Sequence, residues 1–269
     1  MVKIFGTNKE PLIMENEVEV EHVQELEVNS DIADIKFITH DKKQIDIVLE
    51  TFEKGPELQV NFVNEKLEIT AKVLKERKIG IILQPKSCKL KIKLPRDFAD
   101  HCTIRSSAGN IKAADLEFNT VLMKASAGNI RLENIQAQKL DLESSAGNIE
   151  VKKIESENLI AQSGAGNIEG NACTGEITAK TGAGNVRFTV DGEQNLKMNS
   201  GAGNINVFFT QPDSLNATIK ANAGLGNVKT DLPFLTSENK SSNLSSIIGT
   251  GEKTFQFKTG VGNIQLLAE

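Results

Sequence analysis

The side chains in this chain that could do chemistry are few and scattered. Its three histidines, His22, His40 and His101, share no spacing that would gather them as metal ligands, so solvated or structural roles are expected. Its three cysteines, Cys88, Cys102 and Cys173, are too few and too odd in number for a disulfide framework and suit a reducing compartment. Cys102 and Cys173 fall at inward positions and read as small core residues with no redox role. Cleavage of a sugar polymer needs clustered carboxylates or a basic group in a groove, with aromatic platforms for the rings. Here outward carboxylates such as Glu143 and Glu150 face bases one repeat away, and the chain has no Trp and no Tyr. The phosphate-loop pattern G-x-x-x-x-G-K-[ST] is absent, and so is the Asp-bearing calcium nonapeptide. No catalytic, cofactor-binding or metal-ligating residue is expected, and no cofactor.

What the glycines mark instead is a repeat. A short phrase built on A-G-N-I returns eight times, and each copy holds a Gly-Asn pair. The pairs are Gly109-Asn110, Gly128-Asn129, Gly147-Asn148, Gly166-Asn167, Gly184-Asn185, Gly203-Asn204, Gly226-Asn227 and Gly262-Asn263. Successive glycines stand 19, 19, 19, 18, 19, 23 and 36 residues apart. The last interval is close to two repeats, and Ser242-Asn243-Leu244 sits where a decayed copy would fall. A sharp bend between strands usually requires positive φ, which glycine adopts without a Cβ clash and Asn tolerates best among the others. Stacked rungs would set the Asn amides about 4.8 Å apart, close enough to form a ladder. These residues are therefore read as a structural corner ladder. The Ser or Gly two before each glycine keeps the corner tight, and the residue just before it, usually Ala, is expected to fill the inside of the bend.

The elements that position these corners are strands. Seven residues before the glycines stand Cys102, Val121, Leu140, Leu159, Ile177, Leu196, Ile219 and Phe255. Two residues after them the side chain is always Ile or Val. Four after, Gly170 and Thr230 break an otherwise apolar series. Alternation of this kind marks strands with one buried face, whereas a period of 3.6 would scatter the same residues around a helix. Each repeat thus holds two main strands, an A-G-N corner and a second corner near Asn134-Ile135 or Lys153-Ile154. Lys124 with Glu143, and Arg131 with Glu150, occupy equivalent outward positions and should pair between rungs.

The expected fold is all-β: a single-stranded β-solenoid of about 19 residues per coil, with a β-rich N-terminal cap. Residues 1–95 form that cap or irregular early coils, and 96–269 form the regular stack, with an irregular excursion near 231–254. An uncovered last coil would expose unpaired backbone, so either the Thr236–Gly251 excursion or a second copy should cover the end. Net charge is −5 with the two signs interspersed, which argues against a nucleic-acid partner. No apolar stretch approaches the length of a membrane span and the first residues do not read as a signal peptide, so a cytoplasmic protein is the expectation.

The strand ending Leu94-Pro95, the recurrent S-x-x-G-N-I phrase and the closing Thr259-Gly260-Val261-Gly262-Asn263-Ile264 resemble the bacterial putative-adhesin family built on the DUF4097 domain. The resemblance covers the chain from about Leu26 onward. It implies a right-handed β-helix, the hand that the crossover rule for parallel strands also favours, and a loose association with the bacterial envelope. The functional expectation is a non-enzymatic structural or interaction protein that meets a protein partner, or itself, through an end or a face. The alternative is an exported adhesin or carbohydrate-binding module.

Overall fold

The computed structural model describes residues 3–5, 11–21, 23–74, 87–96, 98, 101–232 and 241–269. Strands account for nearly all of its regular structure; a short 3-10 turn at Pro212–Ser214 interrupts them, and there is no α-helix among the described residues. The first third supplies β1 (Lys3–Phe5), β2 (Leu12–Glu19), β3 (Glu25–Ser30), β4 (Asp34–His40), β5 (Gln44–Thr51), β6 (Glu57–Val63), β7 (Lys66–Lys72) and β8 (Lys89–Pro95). The repeats supply β9 (His101–Ser106), β10 (Ile111–Ala125), β11 (Ile130–Ala146), β12 (Ile149–Ala165), β13 (Ile168–Cys173), β14 (Glu176–Ala183), β15 (Val186–Val190), β16 (Leu196–Ala202) and β17 (Ile205–Phe209). The chain finishes with β18 (Ala217–Leu225), β19 (Val228–Thr230), β20 (Asn243–Ile248), β21 (Lys253–Val261) and β22 (Ile264–Ala268).

All these strands belong to one long open sheet. Through the repeats the pairing is parallel: Ile111 lies beside Ile130, Ile130 beside Ile149, and Ile149 beside Ile168. In β10 the buried residues are Ile111, Ala113, Leu116, Phe118, Val121, Met123 and Ala125. The step from Ala113 to Leu116 skips one residue more than strand alternation allows. Asp115 makes that step by adopting φ 57°, and Asn134, Lys153 and Ala172 do the same in the next rungs at φ 55°, 53° and 52°. A left-handed residue thus turns the second corner while keeping apolar side chains inward.

The core is one continuous column of side chains. Cys102, Val121, Leu140, Leu159, Ile177, Leu196, Phe255 and Ile219 are each at most 1% exposed. The break at Gly170 has a packing cause: it pairs with Phe188, whose ring atoms would lie 2.1 Å from a Cβ at Gly170. The missing side chain is replaced by a large one from the next rung.

Spatial order departs from sequence order at both ends. β21 lies between β16 and β18, and β22 lies between β17 and β19, so the last-made rung is inserted beneath the one made before it. The expected decayed copy at Ser242-Asn243-Leu244 is not a rung. It belongs to β20, which runs antiparallel along β18 with Asn243 opposite Asn222. The reversal is made by Gly249 and Gly251, at φ 62° and 74°. At the other end β3 and β4 lie between β9/β10 and β7/β8. Beyond them the chain reverses, with β6 antiparallel to β7 and β5 antiparallel to β8.

Candidate functional site

The A-G-N corners align along the stack, and their hydrogen bonds run from rung to rung. The Asp34 carboxylate accepts the Asn110 backbone N–H at 2.8 Å. The Asn110 Oδ1 then accepts the Asn129 N–H at 3.0 Å, and Asn129 accepts that of Asn148 at 2.8 Å. The series continues through Asn167, Asn185, Asn204 and Asn263, ending on Asn227. Each Asn side chain from Asn110 to Asn263 along the stack therefore satisfies the backbone donor of its neighbour, which strand pairing at the bend leaves without a partner.

Close approach is common to all the corner glycines, and positive φ to four of them. Gly109, Gly128, Gly147 and Gly166 do not adopt positive φ, whereas Gly184, Gly203, Gly226 and Gly262 do, at φ 150°, 148°, 154° and 142°. A Cβ on Gly147 would lie 2.2 Å from the Gly128 carbonyl oxygen, and the same contact recurs at Gly128 and Gly166. None of the corner Asn residues is left-handed, so tolerance of positive φ is not what places Asn there.

The residue before each corner glycine, Ala in six copies and Leu225 or Val261 in the others, is exposed, contrary to the expectation that it fills the bend. The inside is filled by the residue three before the glycine: Ser106, Ser144, Ser163, Thr181, Ser200 and Thr259 are all buried. Their hydroxyls donate to glycine carbonyls, Ser144 Oγ to Gly128 O at 3.0 Å and Thr181 Oγ1 to Gly166 O at 2.8 Å. The inward series at seven, five and three residues before the glycine ends at this hydroxyl, and the alternation breaks there, because the next residue of the same parity is exposed.

Beside the Asn ladder the sheet forms a trough in two stretches. One, about 260 Å³, is lined by Asn110, Asn129, Asn148 and Asn167 together with Lys112, Arg131, Glu150 and Glu169. The other, about 320 Å³, shares Asn110 and Lys112 and adds Lys36, Lys89, Lys91, Asp34 and Glu50. Strand register sets Lys91 beside Lys36 and Lys36 beside Lys112, all exposed on one face. Arg131 comes next in this column and is held by Glu150, with nitrogen-to-oxygen distances of 2.7 and 2.5 Å. On the opposite stretch of the repeat Lys124 meets Glu143 at 2.6 Å.

Other reactive side chains lie apart from the trough. Burial pushes the Cys88 and Cys173 thiols up to about 11 and raises Cys102 further, and all three cysteines are unpaired. His40 packs against Gln44 O at 2.7 Å, with Asp46 3.5 Å from its other ring nitrogen. His101 is exposed, and His22 lies outside the described residues. The Lys66 ammonium, reinforced by Asn29, holds the Glu27 carboxyl below the usual carboxylate range. No three His, Cys, Asp or Glu side chains among the described residues come together as a metal site.

The family model for Toastrack DUF4097 matches residues 23–267. The chain belongs to the Toastrack DUF4097 family. No curated protein matches it. Among solved structures, a putative adhesin from Bacteroides fragilis is 13% identical with a TM-score of 0.51, covering 94% of this chain and 96% of that one. A putative cell adhesion protein from Clostridium sporogenes is 15% identical with a TM-score of 0.35, covering 97% and 100%. At such identities the likeness to the Bacteroides structure shows the fold.

Two features of this Toastrack chain escaped the sequence reading. The buried hydroxyl column was visible as a Ser or Thr at six of eight equivalent positions, with Ala125 and Ala223 at the others. The lysine column had no such signal, because Lys36, Lys91 and Lys112 stand at irregular separations and meet only through the spatial reordering of the first rungs.

Proposed function

We propose that this Toastrack protein is a non-enzymatic interaction module: a right-handed β-helix of about 19 residues per coil that engages a partner through its surface. One observation carries this reading. The register places equivalent residues of successive rungs side by side, so the outer face is an array repeating at about 4.8 Å, suited to an extended partner. The corner residues that recur most faithfully are engaged in bonds between rungs and serve the scaffold. Large apolar side chains stand exposed toward the two ends of the stack, Phe62 at 48% and Val63 at 58% near one, Leu225 at 72% and Ile247 at 66% near the other. They support contact with a protein or a second copy there.

Cross-linking in the native cell tests the reading. A partner linked through outward strand positions or the ends supports it, and turnover of a substrate by the purified chain refutes it. The second reading, an exported adhesin or carbohydrate-binding module, draws on the cationic trough alone. Cell fractionation with protease shaving separates the two, since cleavage on intact cells places the protein outside.

A further inference from the structure

Lys91, Lys36 and Lys112 stack in one column on β8, β4 and β10, on rungs about 4.8 Å apart. Like charges directly opposite each other weaken a sheet. Elsewhere on this surface like charges also adjoin, as Lys124 beside Arg105 and Glu150 beside Glu169, but opposite charges offset them: Lys124 meets Glu143, Arg131 meets Glu150, and Lys152 lies 3.5 Å from Glu133. None of the three stacked lysines makes an ion pair among the described residues. The column lines a trough that also contains Lys89, against the carboxylates Asp34 and Glu50, and Asp34 is already engaged by Asn110. A local cationic excess on a chain of net charge −5, set in a concavity, is an arrangement that folding does not favour by itself.

We propose that this trough binds a linear acidic polysaccharide, with the Lys91–Lys36–Lys112 column meeting its carboxylates. The inference rests on the non-enzymatic interaction reading and takes as its partner the carbohydrate of the second reading. The partner is extended because the trough continues along the Asn ladder past Asn110 to Asn167, where Glu150 and Glu169 balance Lys112 and Arg131, so that carboxylates are met at the lysine column and hydroxyls along the ladder. It is anionic because the column is cationic. It is a polyuronate because such a chain presents one carboxylate per sugar along its length, together with hydroxyls that the ladder amides can meet. Nucleic acid fits poorly, since neither stretch of the trough is lined by an aromatic side chain on which a base could stack.

The experiment measures binding of the full chain to polygalacturonate, with uncharged dextran and single-stranded DNA as comparison polymers. The triple variant Lys36→Gln/Lys91→Gln/Lys112→Gln should bind polygalacturonate about tenfold or more weakly. The charge reversal Lys36→Glu should weaken it too, and rising salt should weaken the unaltered chain. Lys197→Gln/Lys220→Gln/Lys258→Gln, on strands β16, β18 and β21, should bind as the unaltered chain does. Unchanged binding by the triple variant, equal binding of dextran, or preference for DNA would overturn the assignment. Depolymerisation of polygalacturonate by a chain that binds it through these lysines would support the trough and overturn the non-enzymatic reading. Failure to bind overturns the trough and leaves that reading standing.

Discussion

Replacing Gly147 by alanine adds one methyl group, and the structure states where it must go. Its Cβ would lie 2.2 Å from the Gly128 carbonyl oxygen, 2.7 Å from the carbonyl carbon and 3.0 Å from Ser144 Oγ. Ordinary van der Waals contact begins near 3.4 Å, so the two corners must separate by about 1 Å. Three hydrogen bonds cross or flank that contact: Ser144 Oγ to Gly128 O at 3.0 Å, Asn148 N to Asn129 Oδ1 at 2.8 Å, and Gly147 N to Ala165 O at 3.1 Å. At about 0.5–1.5 kcal/mol net for each bond, the expected cost is about 2–4 kcal/mol. Ala146→Val serves as the control, because position 146 is exposed and its counterparts are Leu225 and Val261. It should change stability by no more than about 0.5 kcal/mol. Urea unfolding followed by circular dichroism reads both variants, and comparing midpoints and slopes guards against loss of all-or-none unfolding in a repeat array. Two equal, small shifts would refute the close-approach explanation of the corner glycines.

Ser156 Oγ is buried without a hydrogen-bond partner, so Ser156→Ala should stabilise the fold by about 1 kcal/mol, seen as a higher urea midpoint. Lys36→Gln relieves two like-charge contacts and should raise stability by a few tenths of a kcal/mol, about 0.2–1 per contact, with the gain shrinking in high salt. With Cys88 and Cys173 raised to about 11 by burial, their thiols stay protonated at pH 8. A thiolate-selective reagent should therefore label no described cysteine of the folded chain and all three after unfolding.

The parts of this fold legible in the sequence are those set by local alternation. Ile111, Ile130, Ile149 and Ile168 sit two residues after their glycines and share one buried column, as the period-two pattern requires. The outward pairs Lys124–Glu143 and Arg131–Glu150 follow from the same register. Less legible was anything that depends on which rung lies beside which. The 36-residue interval between Gly226 and Gly262 looked like a lost repeat, whereas it holds an antiparallel strand that reverses the chain. Hydrophobic pattern tells a strand which face to bury but not which neighbour to choose, and β18 and β21 present near-equivalent inward faces to β16. The trough suffers from the same limit, since Lys91 and Lys112 are made adjacent to Lys36 by β4 slipping between β8 and β10.

That slipping-in has a consequence for how the protein is made. A parallel stack can in general lengthen as the chain emerges, each new rung settling on the last. Here the rung of β18 and β19 reaches its native neighbours only after β21 and β22, synthesised later, have entered the space between it and β16 and β17. A chain interrupted before Lys253 lacks an inner layer, not an outer one. Its outermost rung must either hang free or settle on β16 in a place that belongs to another segment. Repeats could therefore be gained or lost by duplication in the middle of this molecule with little disturbance, while the closing rungs must be inherited together.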